Sequence, residues 1–159
     1  MVHTLPMPSV PFSDRGEPLE AFADRFLVRC PRCGSCAVVV TEPNSEHYPF
    51  FWPRRLTCSQ CGLWRRWESR SVTIDGGPTD GYFHLPPWLQ TPCVGETLWA
   101  FNEAHLQFID GFVRARHRER VPNVNRSAAS RLPRWIKSAK HRDAVLHGIE
   151  RLRAQLRLC

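Results

Sequence analysis

Two pairs of cysteines constrain this chain more than any other feature. Each pair has the form Cys-x-x-Cys-Gly, with Cys30 and Cys33 in the first and Cys58 and Cys61 in the second. Structural Zn²⁺ sites take four such thiolates at about 2.3 Å. A glycine after the second cysteine permits the tight turn that directs main-chain N–H groups at sulfur. The spacing therefore predicts one closed, four-cysteine zinc site, which supports a fold and performs no chemistry itself.

The other three cysteines have simpler interpretations. Cys36 is an alternative ligand to Cys30, but it opens the apolar run 37–40, where a buried thiol behaves as a small hydrophobic group. Cys93 and Cys159 are predicted to be free thiols. A disulfide framework is the rival to the metal site. It is disfavoured because seven cysteines is an odd number and because doubled Cys-x-x-Cys spacings are typical of metal ligands.

The pattern of prolines, apolar residues and charges divides the chain into four segments. We predict an α+β fold in which a small three-stranded zinc ribbon packs against a C-terminal helical region of two to four helices. Three short strands bury little apolar surface, so metal binding must supply much of the ribbon's stability. The predicted segments are a poorly ordered leader at 1–24, the ribbon at 25–70, an extended connector rich in aromatic residues and proline at 71–94, and a basic helical region at 95–159.

The last predicted ribbon strand carries two tryptophans. Strands are expected at 37–41, 54–57 and 63–68 from their β-branched and aromatic residues. Period two places Trp64 and Trp67 on opposite faces, so one ring should fill the core while the other lies outside, near the neighbouring arginines. An exposed ring in that setting is either a stacking platform for a nucleobase or a contact for a neighbouring segment.

The basic region is predicted to begin with a long helix over 98–118, with Thr97 as its N-cap. Asn102 and His105 fall in the middle of its apolar arc, where buried polar groups need partners. They are predicted to form a structural latch, and catalysis or metal binding by His105 is the alternative. No activity is expected, because four thiolates leave zinc no open position and no nucleophile motif is present.

The final helix, predicted at 142–158, carries a narrow apolar seam of Val145, Ile149, Leu152 and Leu156. Such a seam packs on the preceding helix or pairs with a second copy of the chain. A homodimer is therefore one expected form of the protein.

Positive charge is concentrated in the last third of the chain. Residues 114–159 contain 13 Lys and Arg against three acidic groups, although the whole chain has a net charge of only +7. This asymmetry predicts a polyanionic partner, DNA or RNA. The candidate contacts are Arg126, Arg131, Arg134, Lys137, Lys140, Arg142, Arg151 and Arg153 for phosphate, with Trp64 and Trp67 for bases.

The predicted function is a zinc-structured adaptor that binds nucleic acid through its basic helical surface. The alternative is a protein interaction module that dimerises or docks through the ribbon and the final helix, without nucleic acid. No membrane partner is expected, because no uncharged apolar run approaches the roughly 18 residues of a membrane span. With no secretory segment in the sequence, the expected location is the cytoplasm.

The cysteine pairs resemble those of zinc ribbons of the transcription factor IIB type and the cysteine clusters of the primosomal replication-restart helicase, over residues 27–69. The later segments 89–91, 95–106 and 130–140 are similar to a family of small bacterial proteins named only for their ribbon, which has no settled function. The resemblance implies the ligand role for Cys30, Cys33, Cys58 and Cys61. It implies no helicase activity, because the chain lacks a phosphate-binding loop.

Overall fold

The computed structural model describes residues 11–44, 49–69, 71–72, 78–115, 118–120 and 127–159. These residues form an α+β fold, as predicted. The strands are β1 (Phe12–Asp14), β2 (Arg25–Arg29), β3 (Cys36–Thr41), β4 (Arg54–Thr57), β5 (Trp64–Trp67), β6 (Leu89–Cys93), β7 (Glu96–Ala100) and β8 (Arg118–Arg120). The α-helices are α1 (Glu103–Arg114), α2 (Ala128–Arg131), α3 (Arg134–Lys137) and α4 (Arg142–Leu156). Short 3-10 helices lie at Leu19–Phe22, Pro49–Phe51 and Ala139–His141.

The ribbon is an antiparallel sheet of four strands in the order β2-β3-β4-β5. The three predicted strands are present within a residue or two, but the prediction of only three was wrong. The additional strand, β2, immediately precedes Cys30 and pairs with β3 over its full length. Its Phe26 and Val28 pack into the ribbon core, whereas Leu27 packs into the core of the helical half. Strand β2 is therefore buried on both faces, and the two halves share this strand.

The predicted helix over 98–118 was wrong in its first turns. Residues 96–100 form β7, which pairs with β6 in a tight hairpin, so Thr97 caps no helix. The two turn residues, Val94 and Gly95, both have positive φ, at 55° and 78°, as a two-residue hairpin turn that matches the strand twist requires. Helix α1 begins only at Glu103 and is capped by Asn102.

The connector joins the ribbon to the helices through main-chain pairing. Trp88 N–H donates to Leu27 O at 2.8 Å and Arg29 N–H to Pro86 O at 2.9 Å, which extends the sheet beyond β2. On the other side, Trp88 Nε1 donates to Gln155 O in α4 at 3.0 Å. The extended segment therefore connects the ribbon directly to the final helix.

Part of the predicted leader is incorporated in the fold. Strand β1 pairs in parallel with β8, and Ser127 Oγ donates to the buried Asp14 carboxylate at 2.8 Å. Phe22 is also buried and stacks on His105, with ring centroids 5.3 Å apart. These contacts fix residues 11–24 against α1 and α2. The prediction for residues 1–10 lies outside the described residues.

Helix α4 packs its apolar seam inside its own chain. Val145, Ile149 and Leu152 are fully buried against the β6–β7 hairpin and α1. Gly148 permits the close approach, because a Cβ there would lie 2.8 Å from Leu98 Cδ2. The seam is thus covered without a second copy. Among the described residues, no helix is long and apolar enough to cross a membrane.

The prediction of free thiols was wrong for Cys36 and Cys159, which form a disulfide with their Cα atoms 5.2 Å apart. Packing of α4 brings the residues after its last turn to the start of β3. The partners are 123 residues apart in sequence, so no local pattern indicates the pair. Cys93 is a free, buried thiol, as predicted.

Candidate metal centre

The four predicted ligands converge in the structure. The sulfur atoms of Cys30, Cys33, Cys58 and Cys61 all lie within 4.8 Å of one another. The closest cross-pair distances, Cys30 Sγ to Cys61 Sγ and Cys33 Sγ to Cys58 Sγ, are both 3.6 Å. Four sulfurs at about 2.3 Å from one tetrahedral ion would be about 3.8 Å apart. The cluster therefore has the size and donor set of a site for one thiolate-bound metal ion.

Each Cys-x-x-Cys-Gly turn is shaped by the same local hydrogen bonds. Gly34 N–H donates to Cys30 O at 2.9 Å, and Gly62 N–H donates to Cys58 O at 2.9 Å. Both glycines have positive φ, at 75° and 69°, a conformation that residues with a Cβ rarely adopt. Arg32 N–H also points at Cys30 Sγ, at 3.4 Å. The turns thus hold each sulfur pair in place, while β3 and β4 bring the two turns together.

The electrostatics of the cluster favour a bound cation. Burial opposes ionisation of Cys30, but main-chain N–H groups lower its pKa overall. Main-chain and side-chain hydrogen bonds from Ser35 lower the pKa of Cys33 to about 6. Desolvation, together with the neighbouring thiols, raises the pKa of Cys61 to about 11. Four crowded thiols do not all ionise readily on their own, and a divalent ion compensates the repulsion of four thiolates.

The structure resolves the ambiguity over the ligand set. Cys36 is paired with Cys159 in the disulfide and contributes no thiolate. Its carbonyl oxygen lies 3.7 Å from Cys58 Sγ, so the disulfide begins next to the metal cluster without being part of it. Among the described residues, this cluster is the group of cysteine, histidine and acidic side chains that is arranged to hold a metal ion.

Several predicted phosphate contacts have partners within the chain. Arg151 Nε donates to Thr91 Oγ1 at 3.0 Å and fastens α4 to the hairpin. Arg153 forms ion pairs with Asp110 at 2.8 Å and Glu150 at 2.6 Å. Both arginines hold α4 against its neighbours. The charge of Arg153 is compensated by two carboxylates, whereas Arg151 donates to the neutral oxygens of Thr91 and Pro92.

The remaining predicted contacts differ in exposure. Arg134 and Lys140 are exposed, and Arg131 is exposed beside Glu20, with an N–O distance of 3.7 Å. Lys137 Nζ donates to Ser130 O at 2.6 Å, and Arg142 is half-buried. Arg126 lies outside the described residues. Apart from Arg151 on α4, the exposed predicted charges are therefore on α2, on α3 and on the short helix before α4.

The two tryptophans of β5 lie on opposite faces, as predicted. Trp64 is 59% exposed. Trp67 is half-buried and meets Tyr82 edge to face, with ring centroids 4.7 Å apart. Arg54, which pairs with Trp67 across the sheet, is buried and stacks its guanidinium 4.2 Å from the Tyr82 ring centroid. Trp64 is therefore the one of the two whose ring is open to a partner.

Asn102 and His105 form a structural latch, although not with the connector. Asn102 Nδ2 donates to Phe22 O at 2.8 Å and to Arg25 O at 2.7 Å, and its Oδ1 accepts the His105 N–H at 2.9 Å. His105 Nδ1 accepts from Phe101 N–H at 3.2 Å. The pair joins the start of α1 to the segment that leads into β2.

We expect His105 to make stability depend on pH. Burial lowers its pKa from 6.5 to about 4, so the unfolded chain binds a proton that the folded chain excludes between these values. Stability should therefore fall as pH decreases from 6.5 towards 4, by up to about 3 kcal/mol from this group. Denaturant unfolding at pH 7 and pH 5 measures the loss.

A His105→Gln variant provides the control, because it cannot titrate in this range. The drop in stability should be smaller in the variant than in the wild type. An imidazole NMR signal of His105 that titrates near pH 6.5 in the folded protein would contradict the expectation.

Sequence reasoning missed a group of aromatic side chains that surround a cavity between the ribbon and the helices. They come from separate segments, and no local spacing relates them. The signal that was available is the density of aromatic residues at 82–101.

No family model, curated protein or solved structure matches this chain. The resemblance to zinc-ribbon families thus remains a prediction from the cysteine pairs. The architecture itself is an antiparallel four-stranded sheet with four cysteines clustered as in a zinc ribbon, packed against a C-terminal helix.

Proposed function

We propose that this protein is a zinc-structured adaptor that binds nucleic acid through the basic surface of its C-terminal region. Cys30, Cys33, Cys58 and Cys61 would hold one Zn²⁺, whose role is to stabilise the ribbon. The observation that carries the proposal is the excess of positive charge in residues 114–159, 13 basic against three acidic groups.

The exposed part of that charge supports the proposal. Arg134 on α3 and Lys140 on the following 3-10 helix are exposed and, among the described residues, have no acidic partner. Lys and Arg in this state release condensed counterions when they neutralise phosphates, which provides affinity independent of sequence. Arg151 and Arg153 are committed to α4 packing, so they are excluded from the proposed contact set.

Exposed Trp64 is the proposed contact for an unpaired base. It lies on the edge strand β5 beside Arg65, which is also exposed. Stacking of a base on an aromatic ring contributes about 1 to 3 kcal/mol and tolerates any sequence. When Trp64 of the ribbon contacts a base, the protein should therefore prefer single-stranded over duplex nucleic acid.

Replacing Arg134 and Lys140 together by alanine is expected to weaken nucleic-acid binding at least about fivefold at low salt. It should also reduce the slope of log K against log salt by about 1.4 on single strands, because each phosphate contact contributes about 0.7. Fluorescence anisotropy with labelled single-stranded DNA, duplex DNA and RNA between 50 and 200 mM salt measures both quantities.

The matched control removes the same number of charges elsewhere. Arg15 and Arg25 are exposed residues of the N-terminal part, and the Arg15→Ala, Arg25→Ala double variant should bind like the wild type. Equal weakening of the two double variants, or no binding by the wild type, would refute the proposal.

A second candidate function is a protein docking module. Within the part of the chain that the structure describes, strand β5 is an unpaired edge of the four-stranded sheet, and Trp64 is exposed on it. Unpaired edges accept a strand from another chain. Sedimentation of the wild type and a Trp64→Ala variant distinguishes this function, because self-association through the edge should weaken in the variant without any polynucleotide.

A further inference from the structure

A cavity of about 710 Å³ lies between the ribbon and the helical half of the protein. This volume is within the range of about 300 to 1,000 Å³ that small-molecule sites occupy. Its walls are mainly apolar and include six aromatic rings. They belong to Phe26, Phe50, Trp52, Tyr82, Trp99 and Phe101. Rings at several orientations around one space are suited to a flat aromatic molecule, which they contact by stacking and edge-to-face packing.

His105 provides a hydrogen-bond donor on the apolar wall. Its Nδ1 accepts the Phe101 N–H at 3.2 Å, so in the neutral ring the proton is on Nε2. Burial keeps the ring neutral by lowering its pKa to about 4. Among the described residues, Nε2 has no hydrogen-bond partner. The side chain is 3% exposed and lines the cavity, so a ligand acceptor would satisfy this donor.

The charges around the cavity disfavour an anion. Glu20, Asp24 and Asp80 line it together with Arg54 and Arg131, which leaves three carboxylates against two guanidiniums. Arg54 donates to a tyrosine hydroxyl at 2.7 Å and to a main-chain carbonyl at 2.8 Å. Arg131 lies 3.7 Å from Glu20, and Asp80 accepts three main-chain N–H groups at 2.7 to 3.0 Å. The cationic groups are thus engaged in hydrogen bonds or an ion pair, and an added anion would increase the net negative charge of the lining.

We propose that this cavity binds an uncharged, planar aromatic molecule that carries a hydrogen-bond acceptor. The rings contribute the contact area, and His105 Nε2–H orients the ligand through the acceptor. This function does not depend on the proposed nucleic-acid contacts, because Arg134, Lys140 and Trp64 do not line the cavity.

Two fluorescent probes with the same skeleton test the charge requirement on the full-length, zinc-loaded protein. N-phenyl-1-naphthylamine is uncharged, and 1-anilinonaphthalene-8-sulfonate adds one sulfonate. The uncharged probe should bind saturably, one per chain, and at least about tenfold more tightly, because the sulfonate charge would be desolvated among lining groups whose net charge is negative. Equal or tighter binding of the sulfonate, or a linear fluorescence increase without saturation, would overturn the proposal.

Two variants, each with one alanine replaced by phenylalanine, locate the site. Ala23 is a half-buried residue of the cavity wall, whereas Ala154 is exposed on α4 and does not line the cavity. Ala23→Phe should weaken binding of the uncharged probe at least about tenfold by occupying the space, and Ala154→Phe should leave it unchanged. If both variants bind like the wild type, the probe binds elsewhere and the proposal is wrong.

Quinoline and naphthalene test the acceptor on the wild-type protein, so this measurement does not depend on the folding of a variant. The two molecules have nearly the same shape, and quinoline adds one ring nitrogen that is neutral above pH 7. Quinoline should displace the uncharged probe at about fivefold lower concentration, as one added hydrogen bond allows. Equal displacement would refute the assignment of His105 as the orienting donor.

Discussion

Replacing Cys58 by serine is expected to release the metal and unfold the four-stranded sheet. Cys58 is buried and lies between the end of β4 and the second turn of the cluster. Zinc binding contributes roughly 10 to 16 kcal/mol in small zinc modules, which is as large as the total stability of about 5 to 15 kcal/mol of a typical domain. Loss of one thiolate should therefore remove the sheet's main source of stability.

Three measurements detect the loss of the metal and of the sheet. The variant should bind less than one zinc per chain by elemental analysis, lose strand signal in circular dichroism, and exchange the amides of β2 to β5 rapidly. The same result is expected when the wild type is stripped with a strong chelator.

Cys93→Ala is the matched control, because Cys93 is a buried thiol outside the cluster. This variant should keep one zinc per chain and its strand content, with only a modest loss of stability from the missing sulfur. A Cys58→Ser protein that retained both its zinc and its sheet would show that the cluster does not support the fold as argued.

Reduction of the Cys36–Cys159 disulfide is expected to lower the free energy of unfolding by about 2 to 5 kcal/mol. The pair closes a loop across 123 residues. In the chain-entropy treatment, a loop of that length constrains the unfolded chain by at most about 5 kcal/mol at 25 °C. The loss should appear as a lower denaturant midpoint after treatment with a phosphine reductant, which reduces disulfides without the zinc chelation that dithiols cause.

A Cys159→Ser variant separates this effect from any effect of the reductant on the metal cluster. Its midpoint should equal that of the reduced wild type and should not change when the reductant is added. Thiol counting on the denatured, metal-free wild type should find five free thiols without reductant. A count of seven, or equal midpoints for the wild type with and without reductant, would contradict the presence of this bond.

The metal cluster was predictable because its information is local. Each cysteine pair is a short turn with a glycine at a position of positive φ, and the β-branched run at 37–41 indicates one of the two strands that bring the turns together. The cap of α2 is likewise local, since the Ser127 side chain bonds a main-chain N–H only three residues away. Such features need no knowledge of the rest of the fold.

The β6–β7 hairpin could not be predicted from the local sequence pattern. Leu98 and Ala100 are buried, and they lie two residues apart in β7. Over so few residues, this pattern also fits the apolar arc of a helix, because periods of two and 3.6 coincide in short windows. The turn between β6 and β7 distinguishes a hairpin from a helix, and it contains Val94 at positive φ. A β-branched residue rarely adopts that conformation, so the sequence does not indicate the turn.

The four-cysteine cluster, the α+β class and the uneven charge could be predicted from the chain alone, because spacing, periodicity and composition are properties of neighbouring residues. Long-range packing set three further features: Cys36 pairs with Cys159, Arg151 and Arg153 hold α4 in place, and six aromatic rings line one cavity. Each of these depends on residues far apart in the chain, whose approach is set by the packing of α4 and the shared strand β2.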